Sequence, residues 1–192
     1  MVNIKNAGEQ LAELLNRHQA DYIEARLEES QISHITYRGK ELESIGKANS
    51  IGGNVRALVN GGWGFTSFNS FTDLPNRLAL AVKQARLAGG NENRLSPVAA
   101  VTDTKTVAQG SNPVNIPLAQ KKQLLDEYHE VIWKTPKIQT SVIAYGDSHR
   151  KTLFLSSLGS HIEQERADIT LRLRTVATDG SEVQQSGLSL GS

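Results

Sequence analysis

The sequence predicts an α+β fold of two subdomains, each an amphipathic helix followed by antiparallel strands. In three segments, apolar residues recur every three to four positions, which is the spacing of one helix face. Between these segments the period changes to two, which is typical of strands. Short connections rich in Gly, Asn and Asp join consecutive strands, and this favours antiparallel pairing over βαβ winding.

The first subdomain is predicted to cover residues 1–90 and to begin with a helix over 7–18, whose apolar face includes Leu11 and Leu15. Strict alternation of polar and apolar residues then predicts a strand over 20–28 with Glu24 and Arg26 on its solvent-exposed face. Further strands are predicted over 32–37, 41–47, 51–59 and 62–68.

A tight hairpin at Asn60-Gly61-Gly62 is predicted between two β-prone runs, because these residues tolerate a positive φ. Thr72 or Asp73 can cap the helix that follows. Pro75 suits the first turn of this helix, and Gly89-Gly90 is expected to end it.

The second subdomain is predicted to cover residues 118–192, after a connector over 91–117 that contains three prolines and has little periodicity. A helix is predicted from Leu118 to about Lys134. Strands are expected at 138–145, 151–156, 161–164 and 168–177, with turns at Gly146-Asp147, Leu158-Gly159 and Asp179-Gly180. Because both halves place a helix before several strands, the order favours a coarse structural duplication.

Composition limits the partners of this chain. It has 192 residues, 21 basic and 20 acidic side chains, a net charge of +1 and 5% aromatic residues. A balanced charge argues against a nucleic-acid footprint, and few aromatic residues weaken base stacking. No run approaches the roughly 20 apolar residues of a membrane span, and the N-terminus lacks a secretory h-region. We therefore predict a cytoplasmic protein with neither nucleic acid nor membrane as a partner.

The sequence contains no compact motif for a metal or a nucleophile. It has no cysteine, and its five histidines do not fit a His-Glu-x-x-His spacing. The glycines at 52, 53, 61, 62 and 64 do not match a phosphate loop and are interpreted as turn and bulge positions. The serines lack a Gly-x-Ser-x-Gly elbow. We predict no catalytic residue, no metal ligand and no cofactor in this chain.

Two motifs carry a resemblance to a known family. They are Gly52-Gly53-Asn54-Val55-Arg56 and Gly62-Trp63-Gly64-Phe65, followed by an Ala-rich helix over 78–88. This order resembles the N-terminal region of the TldD/PmbA family, and Trp63-Gly64-Phe65 looks more like the TldD branch. Where that family usually has Gly-x-Gly-Val-Arg, the second glycine is Asn54 here. Because Asn tolerates a left-handed backbone, we expect the same fold.

The resemblance implies a zinc metallopeptidase that acts on peptides or unfolded chains, of a kind once described as a modulator of DNA gyrase. The family's zinc site resembles His-Glu-x-x-x-His with a later Cys and lies in a C-terminal domain. No residue of this chain matches those ligands. We therefore expect an N-terminal accessory and substrate-channel region, itself inactive, of a larger enzyme whose C-terminal domain is absent here and holds the zinc. The implied partners are a peptide or unfolded-chain substrate and a second family subunit, in a homodimer or heterodimer.

The motif positions are interpreted mainly as structural; they are Gly52, Asn54, Val55, Arg56, Gly64 and Phe65. Trp63 and Phe65 are also candidates for lining a peptide channel, although an anchoring role in the core is favoured by burial statistics for aromatic residues. An open sheet edge is expected to pair with the backbone of an extended peptide. The alternative function is a protein-binding module without catalysis.

Overall fold

The computed structural model describes residues 3–90, 93–108 and 112–192. Its elements in chain order are α1 (Ile4–Leu15), β1 (Tyr22–Arg38), β2 (Glu41–Val59), β3 (Gly62–Phe68), α2 (Leu74–Leu87), β4 (Thr102–Lys105), a 3-10 helix (Pro113–Asn115), α3 (Leu118–Lys134), β5 (Ile138–Ser156), β6 (His161–Thr178) and β7 (Val183–Gly191). The strand order in the sheet is β3-β2-β1-β5-β6-β4, and β7 also pairs with β6. The predicted α+β class is confirmed.

Several strands are longer than predicted. β1 replaces the two strands predicted at 20–28 and 32–37. β5 runs without a break through Gly146-Asp147, so the turn predicted there is wrong. A Gly-Asp pair usually marks a turn. Here Asp147 is 4% exposed and forms an ion pair with Lys121. This tertiary contact accounts for the extended backbone at a pair that by itself favours a turn.

Two strands lie where none was predicted. β4 falls within the predicted connector and pairs in parallel with β6, with Thr102 opposite His161. β7 pairs with β6 antiparallel, with Val183 opposite Thr178. Every residue of both strands is exposed, so neither carries an apolar alternation. Residues 91–92 and 109–111 of the predicted connector lie outside the described residues.

Two compact units make up the fold, and each combines segments distant in sequence. Unit 1 comprises residues 1–30, 50–106 and 150–165; unit 2 comprises residues 31–49, 107–149 and 166–192. Each unit therefore takes residues from both predicted subdomains. The structural duplication stays a prediction.

The core of unit 1 lies between its two long helices and one face of its strands. α1 contributes Leu11, β1 contributes Ile23 and β2 contributes Val55, all at most 1% exposed. α2 buries an apolar stripe, which consists of Leu78, Ala81, Val82 and Ala85. This packing leaves the opposite face of the same strands free of α1 and α2.

The β2–β3 hairpin has the tight turn that the sequence predicts. Asn60 and Gly61 have φ values of 48° and 75°, and Val59 pairs with Gly62 directly across the turn. Two successive positive φ values match the type I′ turn that suits the right-handed twist of the strands. The turn fixes the register of the hairpin, which sets the face on which each motif residue lies.

The core of unit 2 is smaller and packs α3 against its strands. Its buried residues are Ile35, Tyr37, Leu125 and Ile143. Beside this core, the ammonium of Lys121 lies 2.5 Å from Asp147 Oδ2 and donates to Ser33 Oγ at 2.9 Å. The side chains of Lys121 and Asp147 are 3% and 0% exposed. Burial alone would raise the pKa of Asp147, but hydrogen bonds from Lys121 and Ser33 outweigh it and lower that pKa.

Candidate functional site

One face of unit 1 collects charged and aromatic side chains on neighbouring strands. It is the face turned away from α1 and α2, and we call it the outer face; it is formed by Glu24, Arg26, Arg56, Trp63, Phe65 and Phe154. Hairpin register places Phe65 opposite Arg56 and Trp63 opposite Leu58. Since alternate residues of a strand share a face, Arg56, Trp63 and Phe65 all lie on this side of the hairpin.

Glu24 is a buried carboxylate at the centre of the outer face. Its side chain is 6% exposed, and its Oε1 lies 3.0 Å from Nε of Arg56 and 3.6 Å from Nε of Arg26. Its Oε2 accepts a hydrogen bond of 2.9 Å from the hydroxyl of Tyr22. Both carboxylate oxygens are therefore engaged, as a buried charge requires.

An aromatic ring supports each of the two arginines. The Arg56 guanidinium lies 4.8 Å from the ring centroid of Trp63, and that of Arg26 lies 5.2 Å from the centroid of Phe154. The side chains of Arg56 and Arg26 are still 46% and 62% exposed. These are cation–π contacts, which restrict the guanidinium planes while leaving their donors accessible.

Tyr22 completes this arrangement from the neighbouring position on β1. Burial, followed by its hydrogen bond to Glu24, raises the pKa of Tyr22 to about 12. Its ring also meets that of Trp63 edge-on, with centroids 6.3 Å apart. Tyr22 is therefore a neutral donor near pH 7 that keeps the Glu24 carboxylate in place.

A groove of about 580 Å³ adjoins these residues. Arg26, Gly52, Asn54 and Phe154 line it together with Gln164 of β6. A Cβ at Gly53 would lie 2.5 Å from the backbone oxygen of Arg26, so glycine allows β1 and β2 to approach closely there. The groove offers amide and guanidinium donors beside an aromatic ring.

The structure divides the motif residues between the two faces of the hairpin. Val55 is fully buried in the core, and Gly64 lies against α2. Arg56 and Phe65 lie on the outer face, and Gly52 and Asn54 line the groove. Of these motif residues, only Val55 and Gly64 have a role confined to packing.

Three interpretations of these positions need correction. Among the described residues, the non-glycine positions with positive φ are Asn60 and Lys137, so Asn54 does not use a left-handed backbone. Gly52 and Gly53 also lie inside β2 with ordinary φ and are not turn positions. Phe65 is 53% exposed and Trp63 is half-buried, and neither belongs to the core cluster, so they do not anchor the core.

The sequence did not indicate that Glu24, Arg26 and Phe154 belong to this site. Alternation along β1 placed Glu24 on a wet face, but the ion pairs and Tyr22 bury it there. Arg26 meets Phe154 of β5, a residue 128 positions later in the chain by the numbering of the sequence. Only the charged alternation of β1 could have pointed to the first two residues.

The described part of the chain offers no metal centre. Within residues 3–90, 93–108 and 112–192, no group of three or more His, Cys, Asp or Glu side chains could hold an ion. The residues present therefore do not fit the zinc that the family resemblance implies. Separately, none of the described helices has the length and apolar character needed to cross a membrane.

Structural comparison defines the class of this fold. The chain matches TldE from Thermococcus kodakarensis with a TM-score of 0.74, at 17% identity, over 96% of this chain and 42% of that one. It matches a Bacteroides thetaiotaomicron protein solved under the name of a DNA gyrase modulator with a TM-score of 0.80, at 15% identity, over 100% of this chain and 46% of that one. At these identities the likeness shows a shared fold.

Sequence comparison identifies the family. Residues 23–88 match the model of PmbA/TldA metallopeptidase domain 1, and residues 111–192 match the model of the PmbA/TldA metallopeptidase central domain. A metalloprotease of Synechocystis sp. is 38% identical over 186 residues, which is 95% of this chain and 40% of that protein. A metalloprotease of Methanothermobacter thermautotrophicus is 30% identical over 89% of this chain and 37% of that protein. The chain belongs to the TldD/PmbA metallopeptidase family and corresponds to its N-terminal region. It spans about two-fifths of the length of these relatives.

Proposed function

We propose that this chain is the substrate-binding, non-catalytic part of a zinc-dependent metallopeptidase that acts on peptides or unfolded chains. The observation that carries the proposal is the common location of motif residues Arg56 and Phe65 with Trp63 on the outer face of unit 1. Residues needed only for packing would be expected in the core. These three present donors and aromatic surface to solvent instead.

The chemistry of the outer face suits binding. An extended peptide offers carbonyl oxygens to guanidinium donors and side chains to aromatic rings. Among the described residues, no group of three or more His, Cys, Asp or Glu side chains could hold a catalytic metal ion. In this proposal the parent enzyme holds its zinc in a C-terminal domain, and this chain supplies substrate contacts.

A second contact is proposed at the edge of β7. This strand pairs with β6 on one side, and all nine of its residues are exposed. β3, at the other end of the strand order, is less available because its Phe65 N–H already donates to Gln84 Oε1 at 3.0 Å. β7 can therefore accept an extended peptide by main-chain hydrogen bonds, with little dependence on side chains. The proposal includes a family subunit as dimer partner, which can protect such an edge from aggregation.

The test uses the purified chain with reduced, carbamidomethylated lysozyme as the unfolded probe. We expect saturable binding by fluorescence anisotropy, no cleavage by mass spectrometry and no stoichiometric zinc by elemental analysis. Trp63→Ala together with Phe65→Ser should weaken binding about tenfold. Leu87→Ser is the control, because Leu87 is 80% exposed at the end of α2 and is not one of the residues that form the outer face.

The following results would refute the proposal. Cleavage of the probe by the chain itself, or one full equivalent of zinc lost on replacing two histidines, would place catalysis in this chain. Equal binding by the aromatic variant, the control and the original chain would remove the outer face from substrate capture. A chain that binds a folded partner but no unfolded probe would support a protein-binding module instead.

A further inference from the structure

We propose that Arg26 and Arg56 together form a binding site for a carboxylate of the substrate peptide. This inference rests on the proposed function and specifies the chemistry of one contact within it. The carboxylate can be the C-terminus of the peptide or an Asp or Glu side chain. The site consists of the two guanidinium groups that flank Glu24 on the outer face of unit 1.

The two guanidinium groups lie on either side of one carboxylate oxygen. Nε of each arginine lies within 3.6 Å of the same oxygen, Oε1 of Glu24. Their terminal nitrogens make no hydrogen bond to any other residue in the described ranges, and both side chains are about half exposed or more. Several N–H donors of two adjacent arginines are thus directed to solvent or to a ligand. A carboxylate accepts such donors in pairs.

Both guanidinium groups are held in place before a ligand binds. Trp63 and Phe154 each support one guanidinium, and Glu24 is itself fixed by the hydroxyl of Tyr22. Little side-chain freedom remains to be lost when a ligand binds, which lowers the cost of binding. An arrangement that served only to neutralise Glu24 would need one cation. The second arginine is the feature that this simpler role leaves unexplained.

The charges around Glu24 do not cancel. Two guanidinium groups surround one carboxylate, which leaves one positive charge on this part of the outer face. The next acidic residue along β1, Glu28, is paired with Arg150 at 3.4 Å. An incoming carboxylate therefore meets a net positive charge, and the adjoining groove of about 580 Å³ is within the size range of sites for small ligands. Phe65, opposite Arg56, adds exposed apolar surface for the rest of the peptide.

The test compares three fluorescein-labelled hexapeptides by anisotropy. The first is Gly-Ser-Ala-Gly-Ser-Ala with a free C-terminal carboxylate, the second is its C-terminal amide, and the third is that amide with one internal Ser replaced by Asp. We expect the amide to bind about tenfold more weakly than the free acid. Recovery of affinity by the Asp peptide indicates side-chain recognition, and no recovery indicates recognition of the C-terminus.

The variants show whether the arginines cause this preference. Arg56→Gln and Arg26→Gln should each reduce the preference for a carboxylate to about twofold or less. Arg56→Lys keeps an ion pair with Glu24 but lacks the bidentate fork, so it should fold normally and still lose most of the preference. Arg172→Gln is the control, because Arg172 is an exposed strand arginine of unit 2. Circular dichroism checks the fold of each variant.

The outcomes separate this inference from the proposed function. Equal affinity for all three hexapeptides overturns the carboxylate site, whereas retained binding of unfolded lysozyme leaves the proposed function intact. A preference that survives all three arginine substitutions also overturns the site. If Arg172→Gln lost the preference for a carboxylate as fully as the Arg26 and Arg56 variants, the preference would reflect the overall charge of the chain and not this site. If neither the hexapeptides nor unfolded lysozyme binds, both proposals fail.

Discussion

Gly64 of β3 lies against the backbone of α2 at Ala81. A Cβ at position 64 would lie 1.9 Å from the carbonyl oxygen of Ala81 and 2.6 Å from the nitrogen of Ala85. A backbone so close cannot move aside like a flexible side chain. The Gly-Trp-Gly sequence therefore has two functions: its glycines admit the helix on one face, and Trp63 supports Arg56 on the other.

Replacing Gly64 with Ala should reduce the free energy of unfolding by at least about 3 kcal/mol, the upper part of the range for overpacked cores. The measurement is urea denaturation followed by far-ultraviolet circular dichroism. Gly191→Ala is the control, because a Cβ there would meet its nearest atom at 3.5 Å, an ordinary contact distance. A loss below about 1 kcal/mol for Gly64→Ala would show that β3 and α2 can separate at low cost.

Local sequence patterns predicted the elements whose causes are themselves local. The Asn60-Gly61 turn, α2 and α3 follow from turn residues and apolar periodicity within a few positions. Asp73 occupies the N-cap position of α2 as expected, but its side chain makes no capping hydrogen bond. The turn expected at Gly146-Asp147 was wrong because Asp147 contacts Lys121, a residue of α3. β4 and β7 could not be predicted from periodicity because both are exposed throughout.

The candidate site shows the same division. Motif residues Arg56 and Phe65 were identified from the sequence, and the hairpin turn fixes their common face. Glu24 was assigned to a wet face because alternation alone cannot reveal that two arginines and a tyrosine cover it. Phe154 could not be connected to the motif at all, because its contact with Arg26 depends on the order of strands in the sheet.

The buried ion pair of unit 2 gives a prediction about paired charges. Lys121→Met should cost about 3–5 kcal/mol of stability, because it leaves the Asp147 carboxylate buried without its cation. The double variant Lys121→Met, Asp147→Leu should recover most of that loss, since well-packed apolar residues can replace a buried pair. Urea denaturation of both variants provides the measurement. A double variant as unstable as the single one would mean that the pair itself stabilises unit 2.

The same aspartate predicts an acid dependence. Because the pKa of Asp147 is lowered in the folded protein, its contribution to stability is present above its ordinary pKa of 3.8. That contribution disappears as the pH falls through the lowered value. The double variant lacks the group, so its unfolding free energy should fall less steeply below about pH 4 than that of the original chain. Parallel curves for the two proteins between pH 5 and pH 2.5 would contradict this assignment.

Limited proteolysis should cut the segment between α2 and β4 first. Every described residue from 94 to 100 is exposed and belongs to no helix or strand, so few contacts oppose its entry into a protease site. Trypsin should cleave after Arg94 before it cleaves after Lys105, whose backbone pairs with Gln164. Mass spectrometry of early time points identifies the cut, and Arg94→Gln should remove it. Initial cleavage after Arg56 in the hairpin would show that β2 and β3 open more readily than this segment.

The hydrogen bond from Tyr22 to Glu24 predicts that stability falls at alkaline pH, whereas the Asp147 contribution is lost at acid pH. The pKa of Tyr22 is raised from 10.0 to about 12 by burial and by Glu24, so its contribution to stability is complete below pH 10 and is lost as the pH rises towards 12. Tyr22→Phe should therefore be less stable at pH 8 but should lose less stability between pH 10 and pH 12 than the original chain.

Glu24→Gln should lower the pKa of Tyr22 without restoring its ordinary value, because burial, the larger cause, remains. Absorbance at 295 nm, with Tyr22→Phe as the difference reference, follows the ionisation of this single phenol, and circular dichroism at each pH defines the range over which the chain stays folded. An unchanged titration curve in Glu24→Gln would mean that the carboxylate does not hold the phenol, and the two arginines would then lack the fixed anion that positions them.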